Sequence, residues 1–431
     1  MHPRCILKRL ALKPEYNLPC SIHGVSHSRG LPTRTHTVLA SKSRPDPFTL
    51  VSPLLSSLRT SLLTMLASGH PAITEITKYY FLHPSKQVRP VIVLLFSQAT
   101  NGLGANWSRK LWESQCPGAG GRAEELNQPL TRPDVLNDWN PQMPDDTRIF
   151  EPIFSLNPGI PHRQPVPVPV PIPPIINSEN ASCPSSPPPS PPQSLTNTLL
   201  PTQLRLAQIV ELLHTASLLH DDVIDVSATR RSQPSANTLF GNKMAVLAGD
   251  FLLGRASVAL ARLRDPEVTE LLATVIANLV EGEFMQLKNT ALDEKEPRWS
   301  EDTIAYYLQK TYLKSASLIS KSCRAAALLG NSVPEVVEAA YSYGRNLGLA
   351  FQLVDDMLDY TISGAELGKP AGADLELGLA TAPLLFAWKE RPELGKLVGR
   401  KFAGEGDVGM VGKHPIPLFA IFTDHISRHV I

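Results

Sequence analysis

The sequence is poor in cysteine, and the few cysteines it has are not grouped. It contains five, an odd number, in 431 residues. They are spread along the chain at Cys5, Cys20, Cys116, Cys183 and Cys323. This spacing is neither that of a disulfide framework nor that of a metal knuckle. The cysteines therefore argue against a disulfide-stapled secreted domain and are best suited to a reducing compartment.

Long apolar runs and an excess of charge of either sign are also missing. No apolar run approaches the roughly 20 residues that a membrane-spanning helix needs. The formal net charge is +1, which gives no argument for nucleic acid or an anionic membrane surface as a partner. No Ser–His–Asp or Cys–His arrangement indicates nucleophilic catalysis.

Acidic residues are almost absent from the first 45 residues, where Glu15 is the only one. The basic residues there are Arg4, Lys8, Arg9, Lys13, Arg29, Arg34, Lys42 and Arg44. This composition, with frequent Ser and Thr, is typical of a mitochondrial transit peptide. We expect residues 1–46 to be such a segment and the protein to lie in the mitochondrial matrix or at the inner-membrane periphery. A basic disordered tail is the alternative.

Helical periodicity covers residues 47–103 and 201–407, and no strand-like alternation accompanies it. These two segments predict an all-α fold. Residues 408–431 lose the period and are expected to form an atypical C-terminal tail.

Residues 104–200, between the two helical segments, have no sustained period. Proline alternates with Val or Ile at 165–174, which favours polyproline II, and Pro and Ser make up 184–192. Such a composition cannot bury enough surface to offset its ordering entropy. We expect a disordered insertion, or sequence that does not belong to the folded protein.

Three aspartates form a first cluster in the segment His220-Asp-Asp-Val-Ile-Asp225. On a helix, Asp221 and Asp225 project from one face, with Asp222 beside them. Carboxylates grouped on an apolar helix repel one another and lose hydration, so a cation has to compensate. Their hard oxygen atoms suit Mg²⁺. A solvated helix end is the plainer alternative for a single cluster.

A second cluster repeats the same spacing at Asp355, Asp356 and Asp359. Apolar residues surround it, which makes a solvated face a poor explanation for both copies. Six carboxylates around one cavity would suit two to three Mg²⁺ ions that clamp a diphosphate.

Cationic and polar residues that would complete such a site stand at helix-compatible positions. Each alone is more often a surface residue. Together they would face the diphosphate from the side opposite the metals. They are Lys86, Arg89, Arg230, Arg231, Lys310, Thr311 and Lys369.

The segments that carry the two clusters resemble the all-trans polyprenyl diphosphate synthases. The first matches Leu218-Leu-His-Asp-Asp-Val-Ile-Asp225, followed by a pair of arginines. The second matches Gly348-Leu-Ala-Phe-Gln-Leu-Val-Asp-Asp-Met-Leu-Asp359, followed by Gly-Lys-Pro. The resemblance is closest to the mitochondrial long-chain enzymes that make the ubiquinone tail. It implies a helical bundle of the isoprenoid-synthase type around a central cavity.

The resemblance also implies a role for each matching residue. Metal binding would fall to Asp221, Asp222, Asp225, Asp355, Asp356 and Asp359. The allylic diphosphate would contact Arg230, Lys310, Thr311, Gln352 and Lys369. Isopentenyl diphosphate would contact Lys86, Arg89, His214 and Arg231. Catalysis would rest mainly on Asp221, Asp225, Asp355 and Lys310.

The implied activity is that of a Mg²⁺-dependent trans-prenyltransferase. It would condense isopentenyl diphosphate onto an allylic diphosphate, such as farnesyl diphosphate, to give a long-chain polyprenyl diphosphate for ubiquinone biosynthesis. The implied assembly is a homodimer, compatible with peripheral membrane contact and without nucleic acid. Ala216 and Ser217, about one turn before the first cluster, would line the tail cavity, and their small side chains predict a long product.

The chain departs from the family in places. His83-Pro-Ser-Lys86 lacks the glycine pair that usually precedes this lysine, and Ser232 stands where glycine is usual. Two alternatives stay open: a geranylgeranyl-type synthase with a shorter product, and a non-catalytic subunit of a heteromeric synthase. The retention of both aspartate clusters argues against the subunit, and Ala216 argues against the shorter product.

Overall fold

A computed structural model describes only part of the chain. The described residues are 46–66, 68, 70–83, 85–114, 126–127, 130, 199–231, 233–288, 297–361 and 373–412. The predicted transit segment up to residue 45, most of the predicted insertion and residues 413–431 of the predicted tail lie outside them, so those interpretations stay predictions.

The chain divides into two compact units, residues 1–50 and 51–431. In the first unit the described residues are 46–50. There the Asp46 carbonyl accepts hydrogen bonds from the Thr49 hydroxyl at 2.8 Å and from the Leu50 amide at 3.3 Å. This turn opens a helix, and the remaining elements belong to the second unit.

Within the described residues the fold is helical, apart from one hairpin of two-residue strands, which confirms the predicted all-α class. The larger helices are α1 (Pro47–Met65), α2 (Pro71–Leu82), α3 (Val88–Thr100), α4 (Trp107–Glu113), α5 (Pro201–Ile224), α6 (Ala236–Phe240), α7 (Asn242–Arg262), α8 (Pro266–Lys288), α9 (Glu301–Thr311), α10 (Ser317–Leu329) and α11 (Pro334–Thr361). Four short helices follow: α12 (Ala373–Glu376), α13 (Ala382–Glu390), α14 (Gly395–Gly399) and α15 (Asp407–Gly412). The strands β1 (Thr229–Arg230) and β2 (Gln233–Pro234) pair antiparallel, a π-helical turn (Tyr312–Ala316) joins α9 to α10, and a 3₁₀ turn (Pro392–Leu394) precedes α14.

Helix α5 is the central helix and is buried on nearly all sides. Its fully buried residues include Leu206, Ile209, Val210 and Leu212. Helices α3 and α7 pack along it. Pro201 is tolerated at its first position because that N–H would have no partner within the helix. The packing fixes the far end of α5, where the first aspartate cluster lies.

Helix α11 carries the second cluster and packs closely on α10 and the π-helical turn. Gly348 permits this approach: a Cβ atom added there would lie 2.6 Å from the Ala316 Cα atom. A π-helical turn holds one residue more than the α-helical register and often marks a functional site. Here the turn joins α9 to α10, and its side chains point in directions that a regular α-helix would not give them.

Part of the predicted insertion is helical. Its first residues, predicted to lack structure from residue 104, include helix α4. Trp107 and Leu111 of α4 are buried and cluster with Leu200, at the start of α5. The expectation of no structure is therefore wrong for residues 107–113.

Helix α7 is long and apolar enough to meet the length and composition expected of a membrane-spanning helix. The sequence reading, which found no such run, was wrong on this point. The helix nevertheless carries Lys243, Asp250, Arg255 and Arg262. About 44% of its most apolar window is buried in the fold, as in a core helix of a soluble protein, which passes the same test.

The last described helices form a second apolar cluster around Trp388. Tyr307 of α9, Leu384 of α13 and Val398 of α14 are buried in it. Helix α15 begins at residue 407, where the main domain was predicted to end, and continues beyond it. The Asp407 carboxylate accepts hydrogen bonds from the Gly404 amide at 3.0 Å and the Arg400 Nε atom at 2.6 Å. The predicted loss of helical structure after residue 407 is therefore wrong for residues 408–412.

Candidate functional site

The first aspartate cluster lies at the end of α5. The Asp225 amide donates to the Asp221 carbonyl at 2.8 Å and closes the last helical turn. Asp221 and Asp225 are half-buried, whereas Asp222 is fully buried. As predicted, the helix places Asp221 and Asp225 on one face and Asp222 beside them.

Asp222 is bound by residues of two other elements. The Arg230 Nε atom lies 2.8 Å from both of its carboxylate oxygens, and an Arg230 terminal nitrogen lies 2.5 Å from Oδ1. The Tyr80 hydroxyl donates a short hydrogen bond to Oδ2. Asp222 was predicted to bind metal and Arg230 to bind the allylic diphosphate. In the structure the two side chains bind each other.

Burial shapes the electrostatics of the other two carboxylates. It raises the pKa of Asp221 to about 6; the Lys314 ammonium opposes the rise, and the Glu283 and Asp225 carboxylates add to it. Burial also raises the pKa of Asp225, again opposed by Lys314. A divalent cation between these oxygens would relieve both the desolvation and the repulsion. The donor chemistry therefore fits Mg²⁺.

Lys314 is a site residue that the sequence reading missed. Its Nζ atom lies 2.5 Å from Glu283 Oε2 and donates to Gln286 Oε1 at 3.2 Å. Lys314 stands in the π-helical turn, four residues after Lys310. The sequence did contain a signal, since Lys310 and Lys314 are one helical turn apart, but only Lys310 was predicted to lie in the site.

Lys310 and Thr311 face other partners. The Lys310 Nζ atom lies 5.4 Å from the centre of the Tyr307 ring. Burial lowers the pKa of Lys310, and the Asp356 carboxylate opposes that change. The Thr311 hydroxyl donates to the Tyr307 carbonyl at 2.8 Å. Lys310 is therefore linked electrostatically to the second cluster, and Thr311 is bonded within its own helix.

The second cluster repeats the arrangement of the first. Asp355 is exposed, while Asp356 and Asp359 are buried. Asp356 accepts hydrogen bonds from the Tyr307 hydroxyl at 2.6 Å and from Gln352 Nε2 at 2.7 Å. Asp359 Oδ2 accepts one from the Asp374 amide at 3.2 Å. The middle carboxylate is again bound by protein groups.

A hydrogen-bond chain joins the π-helical turn to this cluster. The Ser315 hydroxyl donates to Gln352 Oε1 at 2.7 Å, and Gln352 Nε2 donates in turn to Asp356 Oδ1. The turn therefore presents Lys314 beside the first cluster and Ser315 to the helix of the second.

A basic group lies about two turns before the first cluster along α5. An Arg89 terminal nitrogen lies 2.8 Å from His214 Nε2. Burial holds the pKa of His214 well below its ordinary value, and Arg89 and Arg231 lower it further. The imidazole is thus neutral and accepts the Arg89 hydrogen bond through Nε2. The buried Glu211 carboxylate, whose pKa burial raises, is attracted to both arginines.

The structure brings Arg89, His214 and Arg231 into one electrostatic group, as predicted, while the residue Lys86 is exposed in the loop before α3. Gln87, which caps α3, has a φ of 44°, a left-handed value uncommon outside glycine. Lys369 lies outside the described residues. Among those described, no three His, Cys, Asp or Glu side chains form a ready-made metal site. The predicted metal ligands stay predictions.

The two residues predicted to set product length differ in their surroundings. Ala216 is completely buried in the core. Ser217 is half-buried, and its hydroxyl donates to the His214 carbonyl at 2.9 Å. Ser217 thus has more room for a larger side chain than Ala216.

Comparison with known proteins identifies relatives that match most of the chain. The family model described as Polyprenyl synthetase matches residues 193–412. A probable mitochondrial hexaprenyl pyrophosphate synthase of Neurospora crassa is 56% identical over 369 residues, which cover 84% of this chain and 70% of that protein. The mitochondrial hexaprenyl pyrophosphate synthase of Saccharomyces cerevisiae is 44% identical, covering 84% and 79%. Decaprenyl-diphosphate synthase subunit 1 of Schizosaccharomyces pombe is 42% identical, covering 83% and 76%.

Solved structures show the same fold. The apo form of an Arabidopsis medium/long-chain length prenyl pyrophosphate synthase superposes with a TM-score of 0.51 at 31% identity, covering 89% of this chain and 88% of that one. A polyprenyl synthase from Caulobacter crescentus, complexed with calcium and isoprenyl diphosphate, gives a TM-score of 0.58 at 23% identity, covering 89% and 87%. At that identity the second likeness concerns the fold alone.

Proposed function

Because the chain belongs to the polyprenyl synthetase family, we propose that it is a mitochondrial trans-prenyltransferase that makes a long-chain polyprenyl diphosphate for ubiquinone biosynthesis. Its substrates are isopentenyl diphosphate and an allylic diphosphate such as farnesyl diphosphate. The long-chain product and the mitochondrial location are supported by relatives named as mitochondrial hexaprenyl pyrophosphate synthases.

One observation carries this function: two half-buried carboxylates at the end of α5 lie within the electrostatic reach of Lys314. Asp221 and Asp225 have raised pKa values because of burial, and of the two cations that oppose the rise in both, Lys314 acts more strongly than Arg230. Acidic oxygens for a metal beside a fixed ammonium are the combination that binds a diphosphate. A solvated helix end, the plainer alternative for the cluster, would leave its carboxylates exposed.

Mg²⁺ is the cofactor in this proposal, held by Asp221, Asp225 and Asp355, and two to three ions match the number of carboxylates. When bound, it supplies positive charge that stabilises the departing pyrophosphate. The chain's own contribution at that point is Lys314. Its ammonium, fixed by Glu283 and Gln286, would donate to phosphate oxygens as their negative charge grows.

The basic group formed by Arg89, His214 and Arg231 would bind isopentenyl diphosphate. Arg89 and Arg231 supply charge for its diphosphate, and neutral His214 orients the Arg89 guanidinium through its 2.8 Å hydrogen bond. The double bond of isopentenyl diphosphate then attacks the allylic carbon, whose bond to pyrophosphate breaks. Loss of a proton restores an allylic diphosphate that can react again.

The proposal includes a homodimer. Helices α7 and α8 leave several large apolar side chains exposed, among them Leu247, Phe284 and Leu287. Neighbouring exposed apolar residues of this kind mark an interaction surface. Light scattering of the purified chain tests this point, and a mass of one chain at micromolar concentration would exclude it.

The function is tested by incubating the purified protein with Mg²⁺, farnesyl diphosphate and labelled isopentenyl diphosphate, and sizing the products by chromatography. Long-chain products that disappear on chelation of Mg²⁺ are expected. Asp221→Asn should abolish them, whereas Asp302→Asn, an exposed position on α9, should not. A folded wild-type protein that incorporates no label would instead favour a non-catalytic subunit, and C20 products would favour a geranylgeranyl-type synthase.

A further inference from the structure

Both aspartate clusters share a feature that their spacing does not require. In each, the middle carboxylate is buried and accepts a hydrogen bond from a tyrosine of a different helix. The pairs are Tyr80 with Asp222 and Tyr307 with Asp356. The partners are separated by 142 and 49 positions along the chain, so neither contact is a local one.

Tyr80 ties the first cluster to two further elements. Its hydroxyl donates to Asp222 Oδ2 and accepts a hydrogen bond from the Ala236 amide, at the start of α6, at 3.0 Å. Arg230 binds the same carboxylate from the hairpin. Asp222, with no exposed surface, is thereby fixed from α2 on one side and β1 on the other.

Tyr307 has the corresponding place in the second cluster. Its hydroxyl donates to Asp356 Oδ2 at 2.6 Å, while Gln352 donates to Oδ1 at 2.7 Å. Tyr307 itself is buried in the apolar cluster around Trp388, which holds its ring in place. Both oxygens of Asp356 are therefore occupied by protein donors.

The consequence for the other aspartates follows from helix geometry. Neighbouring residues on an α-helix point about 100° apart, since there are about 3.6 residues per turn. Fixing the middle carboxylate sets the rotation of the helix end about its axis. Asp221 and Asp225 then point together to a different side from Asp222, and Asp355 to a different side from Asp356.

We infer that Tyr80 and Tyr307 are positioning residues, which hold Asp222 and Asp356 outside the metal coordination sphere and aim Asp221, Asp225 and Asp355 at the metals. The inference rests on the proposed function and deepens it. It replaces the expectation that Asp222 and Asp356 bind Mg²⁺ directly. Groups that orient metal ligands in this way typically change metal affinity or activity by about 10- to 100-fold when they are removed.

The test measures metal binding without turnover. Mg²⁺ is titrated in the presence of inorganic pyrophosphate by calorimetry, and the rise in melting temperature is recorded in parallel. The variants are Tyr80→Phe and Tyr307→Phe, which remove only the hydroxyl. The matched control is Tyr306→Phe on the same helix, whose hydroxyl donates to the Met285 carbonyl at 2.7 Å.

We expect each of the two positioning variants to need about 10-fold more Mg²⁺ for half-saturation. Tyr306→Phe should titrate like the wild type. Asp222→Asn, which keeps the side-chain shape but also loses the ion pair with Arg230, should weaken binding by at least that factor. The loss in the Tyr80→Phe/Asp222→Asn double variant should be smaller than the sum of the two single losses, because both changes affect the Tyr80–Asp222 contact.

Three results would overturn the inference. One is wild-type Mg²⁺ binding in both tyrosine variants. Another is an additive double variant in which Asp222→Asn alone abolishes binding, as a direct ligand would. The third is a wild-type protein that binds no Mg²⁺ with pyrophosphate, which would also remove the proposed function. In the first two cases the wild type still binds, so the proposed function stands.

Discussion

The Lys314 ammonium and the Glu283 carboxylate form an ion pair of 2.5 Å between the π-helical turn and α8. Lys314 also donates to Gln286, three residues further along α8. These two contacts hold a flexible side chain in one place. They fix an ammonium that acts on both Asp221 and Asp225, where a diphosphate would lose its bond to carbon.

Lys314→Ala should lower kcat by about 100- to 1000-fold, the cost of removing one donor from a developing negative charge. The physical reason is that Lys314 is the main cation acting on both Asp221 and Asp225. The measurement is initial-rate incorporation of labelled isopentenyl diphosphate at saturating substrate. Lys389→Ala is the control, since this lysine pairs with Glu301 on the surface at 3.1 Å.

The variant Lys310→Ala tests whether Lys310 and Lys314 have different roles. Because Lys310 is linked to Asp356 rather than to the first cluster, its loss should change the Mg²⁺ dependence more than the rate at saturating Mg²⁺. Equal losses of kcat for Lys310→Ala and Lys314→Ala would contradict the assignment made from the structure.

The lysines also show what the sequence could and could not predict. The i, i+1, i+4 spacing predicted the helical placement of both aspartate clusters. The apolar residues around them predicted the burial of Asp222, Asp356 and Asp359, whereas Asp355 is exposed. The π-helical turn between Lys310 and Ser317 was not predictable from a 3.6-residue period, because one extra residue in a turn leaves no mark on composition. The spacing of Lys310 and Lys314 could therefore indicate a second lysine near the site but not the partners that it meets.

The hydrogen-bond partners of the middle aspartates, Asp222 and Asp356, could not be predicted from the sequence for a different reason. Tyr80 and Tyr307 meet Asp222 and Asp356 through the packing of whole helices, and a single sequence does not record such long-range pairs. Helix α4 was missed because it is short and lies next to a Pro-rich segment. The apolar residues of α4 gain their burial only by packing near the start of α5.

Gly348→Ala should destabilise the protein. The added Cβ would lie 2.6 Å from the Ala316 Cα atom and 2.7 Å from its Cβ atom, so α11 would have to move away from the π-helical turn. Overpacking of this kind typically costs about 1–3 kcal/mol. The expected result is a lower melting temperature, together with weaker activity because the Ser315–Gln352 hydrogen bond is stretched.

Gly254→Ala is the matched control for this exchange. Gly254 lies on the exposed side of α7, and an added Cβ would meet nothing within 4 Å. Alanine at an exposed helix position is favoured over glycine by up to about 1 kcal/mol. The melting temperature should therefore stay level or rise. A fall equal to that of Gly348→Ala would show that helix packing is not the cause.

Ala216→Phe should shorten the product. Ala216 lies about one turn before the first cluster, and a phenyl ring there would block a growing chain. Because Ala216 is fully buried, the same ring should also cost about 1–3 kcal/mol of stability. Products are sized by chromatography and the melting temperature is measured on the same preparation. Ser217→Phe, at a half-buried site, should shorten the product with a smaller loss of stability.

Ala99→Phe, the same exchange at an exposed position of α3, is the control and should leave product length unchanged. If Ala216→Phe and Ser217→Phe both gave products of wild-type length, this part of α5 would not line the tail cavity. Product length would then have to be set by another part of the bundle.

His214 should make the protein less stable as the pH falls below about 6.5. Burial and the neighbouring arginines hold the pKa of His214 well below 6.5 in the folded state, whereas the unfolded chain protonates it near that ordinary value. Below pH 6.5 the unfolded state therefore binds more protons at this residue, and the free energy of unfolding decreases until the folded-state pKa is reached.

His214→Gln removes this titration, and its side-chain oxygen can still accept a hydrogen bond from Arg89. Urea midpoints at pH 7.5, 6.5 and 5.5 provide the measurement. The wild type should lose more stability than His214→Gln between pH 6.5 and 5.5, while above pH 7 the difference between the two should be constant. Parallel pH profiles would mean that folding leaves the pKa of His214 unchanged. In that case the fold would not hold the imidazole neutral for the Arg89 hydrogen bond, and its role in orienting that guanidinium would have to be abandoned.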